Sequence, residues 1–220
     1  MSNFKQGKIL KDYYSERAAE YESIYNRPDK SRLKEQRLIA RKIIQLFNRK
    51  YVLEIACGTG YWTKFLDQAY ARVLATDISL EMLDLASSKG FNPTIQFVAA
   101  DAYNPPISRP KFDGAMANFW FSHIPRDKTK SFLSTLHNRL NPEATVLIVD
   151  SVFKKNLGGE LVKKGNRRDT YKKRTLLSGK KFSILKNYYS KSELENIFSE
   201  FGKKLQIIYL SNFWLATYKV

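Results

Sequence analysis

The chain has 220 residues, 43% of them hydrophobic, a formal net charge of +17 and one cysteine, Cys57. This length suits a single domain over residues 1–220. One cysteine excludes an internal disulfide and a structural zinc cluster, and we expect no metal site. No apolar run is long enough to span a bilayer, and the first residues lack the apolar stretch of a secretory signal. We therefore expect a cytoplasmic protein with no membrane contact.

The positive charge is concentrated in one segment of the sequence. Residues 154–191 carry 13 basic and two acidic residues, whereas residues 51–153 carry nine and ten. A basic stripe of this kind is what a polyanion-binding surface needs, which leaves nucleic acid open as a partner. The interpretation we favour is compositional, because lysines in a lysine-rich chain collect on solvated faces. The densest part of the stripe comprises Lys163, Lys164, Arg167, Arg168, Lys172, Lys173, Arg174, Lys180 and Lys181.

Two helices are predicted before the first strand. Aromatic and apolar residues recur three or four positions apart over residues 8–25, which predicts a helix with one strongly aromatic face. Pro28 breaks this pattern. Ser31 offers an N-cap, and residues 33–47 form a second amphipathic pattern. Both helices precede the most informative part of the chain.

A glycine turn between two predicted strands indicates a nucleoside site. The apolar run 51–56 leads into Gly58-Thr-Gly60, and the next strand, 72–77, ends on Asp77. Ligands of parallel sheets bind beyond the carboxyl ends of the strands, and an acidic residue about 20 positions after the glycines suits a ribose diol. The third glycine of the dinucleotide fingerprint is missing. A nucleoside without a diphosphate therefore fits better than a dinucleotide.

The alternation of strands and helices continues and then stops. It predicts an α/β fold built on a doubly wound sheet. Further strands are predicted at 94–99, 112–118 and 144–150, and helices at 61–69, 80–89 and 126–139. Prolines impose a loop between the third and fourth strands. Beyond the fifth strand we predict a β-hairpin at 170–177 and 181–188 turning at Ser178-Gly179, a helix at 190–201 with a capping box, and strands at 205–210 and 213–218.

Five motifs in order resemble those of the class I S-adenosylmethionine-dependent methyltransferases. They are Glu54-x-x-x-Gly58-x-Gly60, Asp77, Ala100-Asp101-Ala102, the fourth strand from Phe112 to Asn118, and Arg139-Leu-Asn-Pro142 before the fifth strand. The resemblance covers roughly residues 35–153. It implies a seven-stranded, mostly parallel sheet with N-terminal helices and an inserted hairpin. The parts are then lid helices (1–50), a cofactor-binding core (51–153), a basic insertion (154–189), and a final helix with two strands (190–220).

The resemblance also implies S-adenosylmethionine as cofactor, with S-adenosylhomocysteine as product, and residues that bind it. The backbone at Gly58 and Gly60 would approach the cofactor, and Glu54 would orient that loop or the cofactor's amino group. Asp77 would bind the ribose hydroxyls. Contacts with adenine and the rest of the cofactor are expected from Ile78, Asp101, Ala102, Ala56, Asn118, Tyr13 and Tyr21.

The residues after the fourth strand are expected to face the methyl acceptor. Phe119 and Trp120 begin an aromatic wall, and His123 suits a general base for a hydroxyl or amine acceptor. The alternative for His123 is a buried residue bonded to backbone. Further acceptor contacts are expected from Tyr14, Arg17 and Arg174.

Three functions remain open at this point. The leading one is methyl transfer to oxygen or nitrogen of a small molecule in an aromatic-walled pocket. The second is methylation of RNA or protein by a chain that uses residues 154–191 to hold phosphates. The third is a non-catalytic protein that binds the cofactor without turnover. The sequence leaves a monomer and a homodimer equally open.

Overall fold

The computed structural model describes residues 3–107, 109–155, 157–163 and 168–220. Lys164 and Arg167 of the basic stripe lie outside the described residues. The helices are α1 (Asn3–Arg17), α2 (Lys30–Phe47), α3 (Thr63–Gln68), α4 (Leu80–Ser87), α5 (Thr129–His137) and α6 (Lys191–Ser199). The strands are β1 (Tyr51–Ile55), β2 (Arg72–Asp77), β3 (Ile95–Ala99), β4 (Phe112–Asn118), β5 (Leu140–Ser151), β6 (Leu161–Lys163), β7 (Thr170–Thr175), β8 (Lys181–Leu185), β9 (Lys203–Tyr209) and β10 (Phe213–Lys219).

Seven strands form one sheet in the order β3-β2-β1-β4-β5-β10-β9. β1 to β5 pair in parallel, and β10 is antiparallel to both β5 and β9. The predicted α/β class and seven-stranded, mostly parallel sheet are confirmed. The chain winds outward from β1 to β3 and then restarts on the other side at β4. A crevice therefore opens beyond the carboxyl ends of β1 and β4, where such sheets bind ligands.

Both faces of the sheet are covered, which explains why its central strands are apolar on both sides. On one face α2 packs Ile39, Ile43 and Phe47 against the sheet. On the other, α5 and α6 pack aromatic and aliphatic side chains around Trp214. Gly114 on β4 permits the close approach of α2, because a Cβ there would lie 2.7 Å from Phe47 Cε1. No helix among the described residues has the length and apolar character needed to cross a membrane.

The N-terminal prediction needs two corrections. The single helix predicted over residues 8–25 is α1 followed by a 3₁₀ helix, Ala18–Ile24. Spacings of three and four residues fit both helix types, and the tighter one aligns positions three apart. The second helix is capped by Asp29 rather than Ser31, since the Asp29 carboxylate accepts from the Arg32 backbone N–H at 3.0 Å.

The predicted hairpin is confirmed, and it belongs to a larger sheet. β7 and β8 pair antiparallel around Ser178-Gly179, and β6 adds a third strand that the prediction missed. This small sheet packs against α1, where the rings of Tyr13 and Phe182 are 5.4 Å apart. The hairpin and the N-terminal helices therefore meet above the main sheet.

The predicted capping box of the last helix is also confirmed. Ser190 caps α6 and exchanges hydrogen bonds with Glu193.

Candidate active site

A cavity of about 650 Å³ lies at the carboxyl ends of β1 to β4, beneath α1. Its wall combines backbone turns, carboxylates and aromatic rings from distant parts of the chain. Of the residues predicted from the sequence, it is lined by Tyr14, Tyr21, Ala56, Gly58, Asp77, Ile78, Asp101, Ala102, Asn118, Phe119, Trp120 and His123. We refer to it as the larger cavity.

The two glycines of the turn after β1 have different roles. Gly58 has φ +56° and lines the larger cavity, where a Cβ would only contact Tyr21 Cε1 at 3.9 Å. Gly60 has φ +74°, and a Cβ there would lie 3.1 Å from Phe91 and 3.2 Å from Ala86. Both positions favour glycine for conformational reasons. Gly60 does not line the larger cavity, so its role is to permit the conformation of the turn and its close packing against Phe91 and Ala86.

Asp77 is anchored at the end of β2 by the backbone on both sides. Its Oδ2 accepts from the Gly58 N–H and its Oδ1 from the Ser79 N–H, each at 2.9 Å. Ser79 itself caps α4 by accepting from the Met82 N–H, so the helix cap does not need Asp77. Burial raises the pKa of Asp77. A carboxylate held in this way keeps lone pairs for a diol in the cavity.

Glu54 is buried beneath the turn and is not among the residues that line the cavity. Its Oε2 accepts from the Thr63 hydroxyl at 2.8 Å, which ties β1 to the start of α3. Burial raises the pKa of Glu54 to about 8. Of the two roles suggested by the sequence, this position suits orientation of the loop.

Three buried polar atoms in the wall of the larger cavity have no hydrogen-bond partner among the described residues. They are Asn118 Oδ1 at the end of β4, Trp120 Nε1 just after it, and Ser183 Oγ on β8. Buried polar atoms in folded proteins are nearly always paired. A ligand that donates a hydrogen bond to Asn118 Oδ1 and accepts one from Trp120 Nε1 would satisfy these two atoms.

The N-terminal segment closes over the glycine turn. The Thr59 hydroxyl donates to Glu22 at 2.6 Å, and Glu22 also pairs with Lys89. On α1, the Ser15 hydroxyl donates to Glu81 at 2.6 Å. We call residues 3–24 the lid. These contacts link the lid to the turn after β1 and to α4.

A second cavity of about 100 Å³ adjoins the first. Five residues line both: Tyr14, Tyr21, Phe119, His123 and Ile184. Three further predicted residues, Tyr13, Arg17 and Arg174, line only this smaller cavity. The sequence predicts Tyr13 as a cofactor contact. In the structure Tyr13 lines only the smaller cavity and not the larger one.

His123 lies where the two cavities meet. Its Nδ1 is 2.6 Å from the Leu185 carbonyl oxygen, so Nδ1 carries the proton and donates. Its Nε2 then accepts from the Tyr14 hydroxyl at 2.8 Å. Burial and then the charge of Lys186 lower the pKa of His123 to about 3, and burial raises that of Tyr14 well above its usual value. Both groups are neutral at neutral pH.

A buried ion pair forms part of the surroundings of His123. Lys186 Nζ is 3.0 Å from Asp150 Oδ1 and donates to the Ser122 hydroxyl at 2.6 Å. Asp150 also accepts from the Ser122 backbone N–H at 2.8 Å. The sequence could have indicated Asp150 as a site residue, because it ends a predicted strand. It gave no such indication for Lys186, because composition does not tell which lysine of a basic stripe turns inward.

Three cations of the basic stripe have partners within the protein, but only one of them is buried. Lys172 is 1% exposed and donates to the carbonyls of Leu157 and Gly159. Lys173 pairs with Glu160 and Lys180 with Glu16 at the surface, where both lysines are exposed. Exposed cations of the described stripe include Lys163, Arg168 and Lys181. The stripe is therefore partly internal structure.

Residues 52–143 match a protein family described as a methyltransferase domain. An uncharacterized protein of Methanocaldococcus jannaschii is 27% identical over 213 residues, covering 91% of this chain and 77% of that protein. An uncharacterized methyltransferase of Oceanobacillus iheyensis is 26% identical over 145 residues, covering 66% of this chain and 63% of that protein.

Two solved structures resemble the whole chain. DhpI in complex with SAH is 26% identical, with a TM-score of 0.76 and coverage of 98% of this chain and 97% of that one. DhpI in complex with SAM and HEP is 25% identical, with a TM-score of 0.78 and coverage of 99% of both chains. The similarity therefore includes the lid and the hairpin as well as the core.

Proposed function

Because the chain belongs to the class I S-adenosylmethionine-dependent methyltransferases, we propose that it methylates an oxygen or nitrogen of a small molecule. S-adenosylmethionine is the cofactor. The observation that carries the proposal is the junction of the two cavities at Tyr14, Phe119 and His123. A methyl donor in the larger cavity would face an acceptor in the smaller one.

The wall of the larger cavity suits the functional groups of this cofactor. Asp77 would accept from the two ribose hydroxyls, and Asn118 Oδ1 would accept from the amino group. The Trp120 indole N–H would donate to an acceptor on the ligand. Ile78 and Ala102 offer apolar contacts for adenine, and Asp101 lies beside them. Asp101 Oδ1 already accepts from the Tyr103 N–H at 2.9 Å, which orients its carboxylate.

The bound cofactor supplies an activated methyl group for in-line displacement, so the protein's main task is to align donor and acceptor. Tyr14 and Tyr21 of the lid line the junction, and the lid is held in place by its contacts with Thr59 and Glu81, so it would limit the access of water. Tyr14 and His123 are neutral and hydrogen-bonded to each other, which fixes the position of the phenol oxygen. A hydroxyl acceptor would donate a hydrogen bond to the Tyr14 oxygen, while the lowered pKa of His123 keeps its Nε2 as the hydrogen-bond acceptor that orients Tyr14 rather than as the final site of the proton.

Methylation of RNA or protein is the competing enzyme function. It depends on the basic stripe acting as an outer surface for phosphates, and binding of that kind weakens steeply with salt. The burial of Lys172 and the surface ion pairs of Lys173 and Lys180 with glutamates reduce the positive charge available for that purpose. We therefore favour the small-molecule acceptor.

Thermal unfolding with and without ligand tests the cofactor site. We expect S-adenosylmethionine and S-adenosylhomocysteine to raise the Tm, and NAD to leave it unchanged. Asp77→Ala should remove most of the shift, because it deletes the acceptor for the ribose hydroxyls. Asp84→Ala is the matched control, since Asp84 is exposed on α4 and lines neither cavity. A wild-type Tm that ignores both sulfur ligands would overturn the proposal.

A further inference from the structure

The smaller cavity has an unusually cationic wall. Six cationic side chains line it: Arg17, Arg27, Arg32, Lys154, Arg174 and Lys186. They come from the lid, the loop before α2, the start of α2 and the basic segment, so folding gathers them from separate parts of the chain. No aspartate or glutamate is among the described residues that line this cavity. Such a wall attracts anions.

Most of these cations lack a counter-ion within the described part of the chain. Lys186 pairs with Asp150 at 3.0 Å, and Arg17 Nε is 4.0 Å from Glu20. For the other four, no carboxylate among the described residues comes within ion-pair distance. Like charges gathered without counter-ions repel one another. An anionic ligand would relieve that repulsion.

Two of the arginines also have unpaired donors. The Nε atoms of Arg32 and Arg174 are buried and have no hydrogen-bond partner in the part of the chain that the structure describes, although Arg174 Nη1 donates to the Gly158 carbonyl. Burial and then the charge of Arg27 lower the pKa of Arg32. Leaving a buried charged donor unpaired is costly. Anionic oxygens are the acceptors that a guanidinium binds most strongly, often in pairs.

We infer that the methyl acceptor is a small organic acid whose anionic oxygens are held in the smaller cavity by Arg32 and Arg174. This inference rests on the proposed function, because it takes that cavity as the acceptor site. The shared chemistry is an oxyanion of the carboxylate or phosphate class. Tyr14 and His123 lie at the junction with the larger cavity, so the head group would hold the rest of the acceptor beside the transferring methyl.

Calorimetric titration with simple anions tests this inference. Inorganic phosphate and, separately, acetate are titrated into protein saturated with S-adenosylhomocysteine, with ionic strength held constant by chloride. We expect saturable binding of at least one anion, and at least about tenfold weaker binding in Arg32→Gln and in Arg174→Gln. Tighter phosphate indicates a phosphate-class head group, and tighter acetate indicates a carboxylate.

Arg37→Gln is the matched control, because Arg37 is exposed on the same helix as Arg32 and lines neither cavity. It should bind the anion like the wild type, and all three variants should still bind S-adenosylhomocysteine, which shows that they fold. Absent or non-saturable anion binding, or equal binding by all variants, would overturn the inference and leave the cofactor site standing. Failure of the wild type to bind S-adenosylhomocysteine would instead overturn the proposed function. The same anion titration without S-adenosylhomocysteine would then still show whether the smaller cavity binds an anion.

Discussion

Glu54 lies beneath the candidate site without lining its cavity. It is 1% exposed beneath the glycine turn, and its carboxyl group is hydrogen-bonded by Thr63. Its position in the first motif was predictable, because it occupies the strand that leads into the turn. Its raised pKa was not, since burial is a property of the packed structure.

The raised pKa of Glu54 predicts a specific pH dependence of stability. A carboxyl group with a pKa of about 8 in the folded state and a lower one when unfolded favours the folded protein at acidic pH. That contribution is lost as the pH rises from about 4.5 to about 8, and it amounts to several kcal/mol at most. In the absence of cofactor, Glu54→Gln should therefore gain stability relative to the wild type between pH 5 and 9.

Denaturant unfolding at several pH values measures this difference. Glu195→Gln is a suitable control, because Glu195 is exposed on α6 and half of its side chain is accessible. If the free energy of unfolding changed with pH in the same way for the Glu54 variant and the wild type, the loss of stability would not come from this carboxyl group.

Other site residues differ in how far the sequence could indicate them. Asp77 and Asn118 were predictable, because both end strands of a parallel sheet and such ends converge. Arg32 and Lys186 were not, since each reaches the smaller cavity only through packing between distant segments. Nothing in their local sequence distinguishes them from solvated lysines and arginines.

At the scale of elements, the strands of the core were the most predictable features. Continuous apolar runs identify buried parallel strands, and β1, β2 and β4 appear close to where the pattern indicated. β6 was missed because a three-residue strand has too few positions for an alternation. The change from α1 to a 3₁₀ helix was missed because tyrosines three and four apart fit both geometries.

The lid is the element on which we expect retention of the cofactor to depend most. Thr59 is 2% exposed, and its hydroxyl donates to Glu22 of the lid at 2.6 Å. Thr59→Val keeps the shape and removes this donor, so we expect S-adenosylhomocysteine to dissociate about fivefold faster, for a net loss of about 1 kcal/mol. Stopped-flow displacement measures the rate. Thr59→Ser restores the hydroxyl and should restore slow release, whereas unchanged release from Thr59→Val would show that this contact does not hold the lid.

At the scale of the whole molecule, the fold gathers cationic side chains around the smaller cavity, which the net charge alone did not indicate. The core is nearly neutral, and the excess of cations lies mainly in residues 154–191, with a smaller excess in residues 1–50. The fold turns part of that excess inward, where Arg174 and Lys186 join Arg32 around the smaller cavity. The two cavities, their shared aromatic wall and the covering lid together support the proposed site for a cofactor and a small acceptor.

Transfer of a labelled methyl group tests the central claim most directly. The protein is incubated with methyl-labelled S-adenosylmethionine and a cell extract, which is then separated into small-molecule, protein and RNA fractions. We predict that the label enters the small-molecule fraction, that S-adenosylhomocysteine accumulates in equal amount, and that Asp77→Ala abolishes both while Asp84→Ala does not. Label found in RNA or protein, or cofactor that binds without turnover in any fraction, would contradict the account.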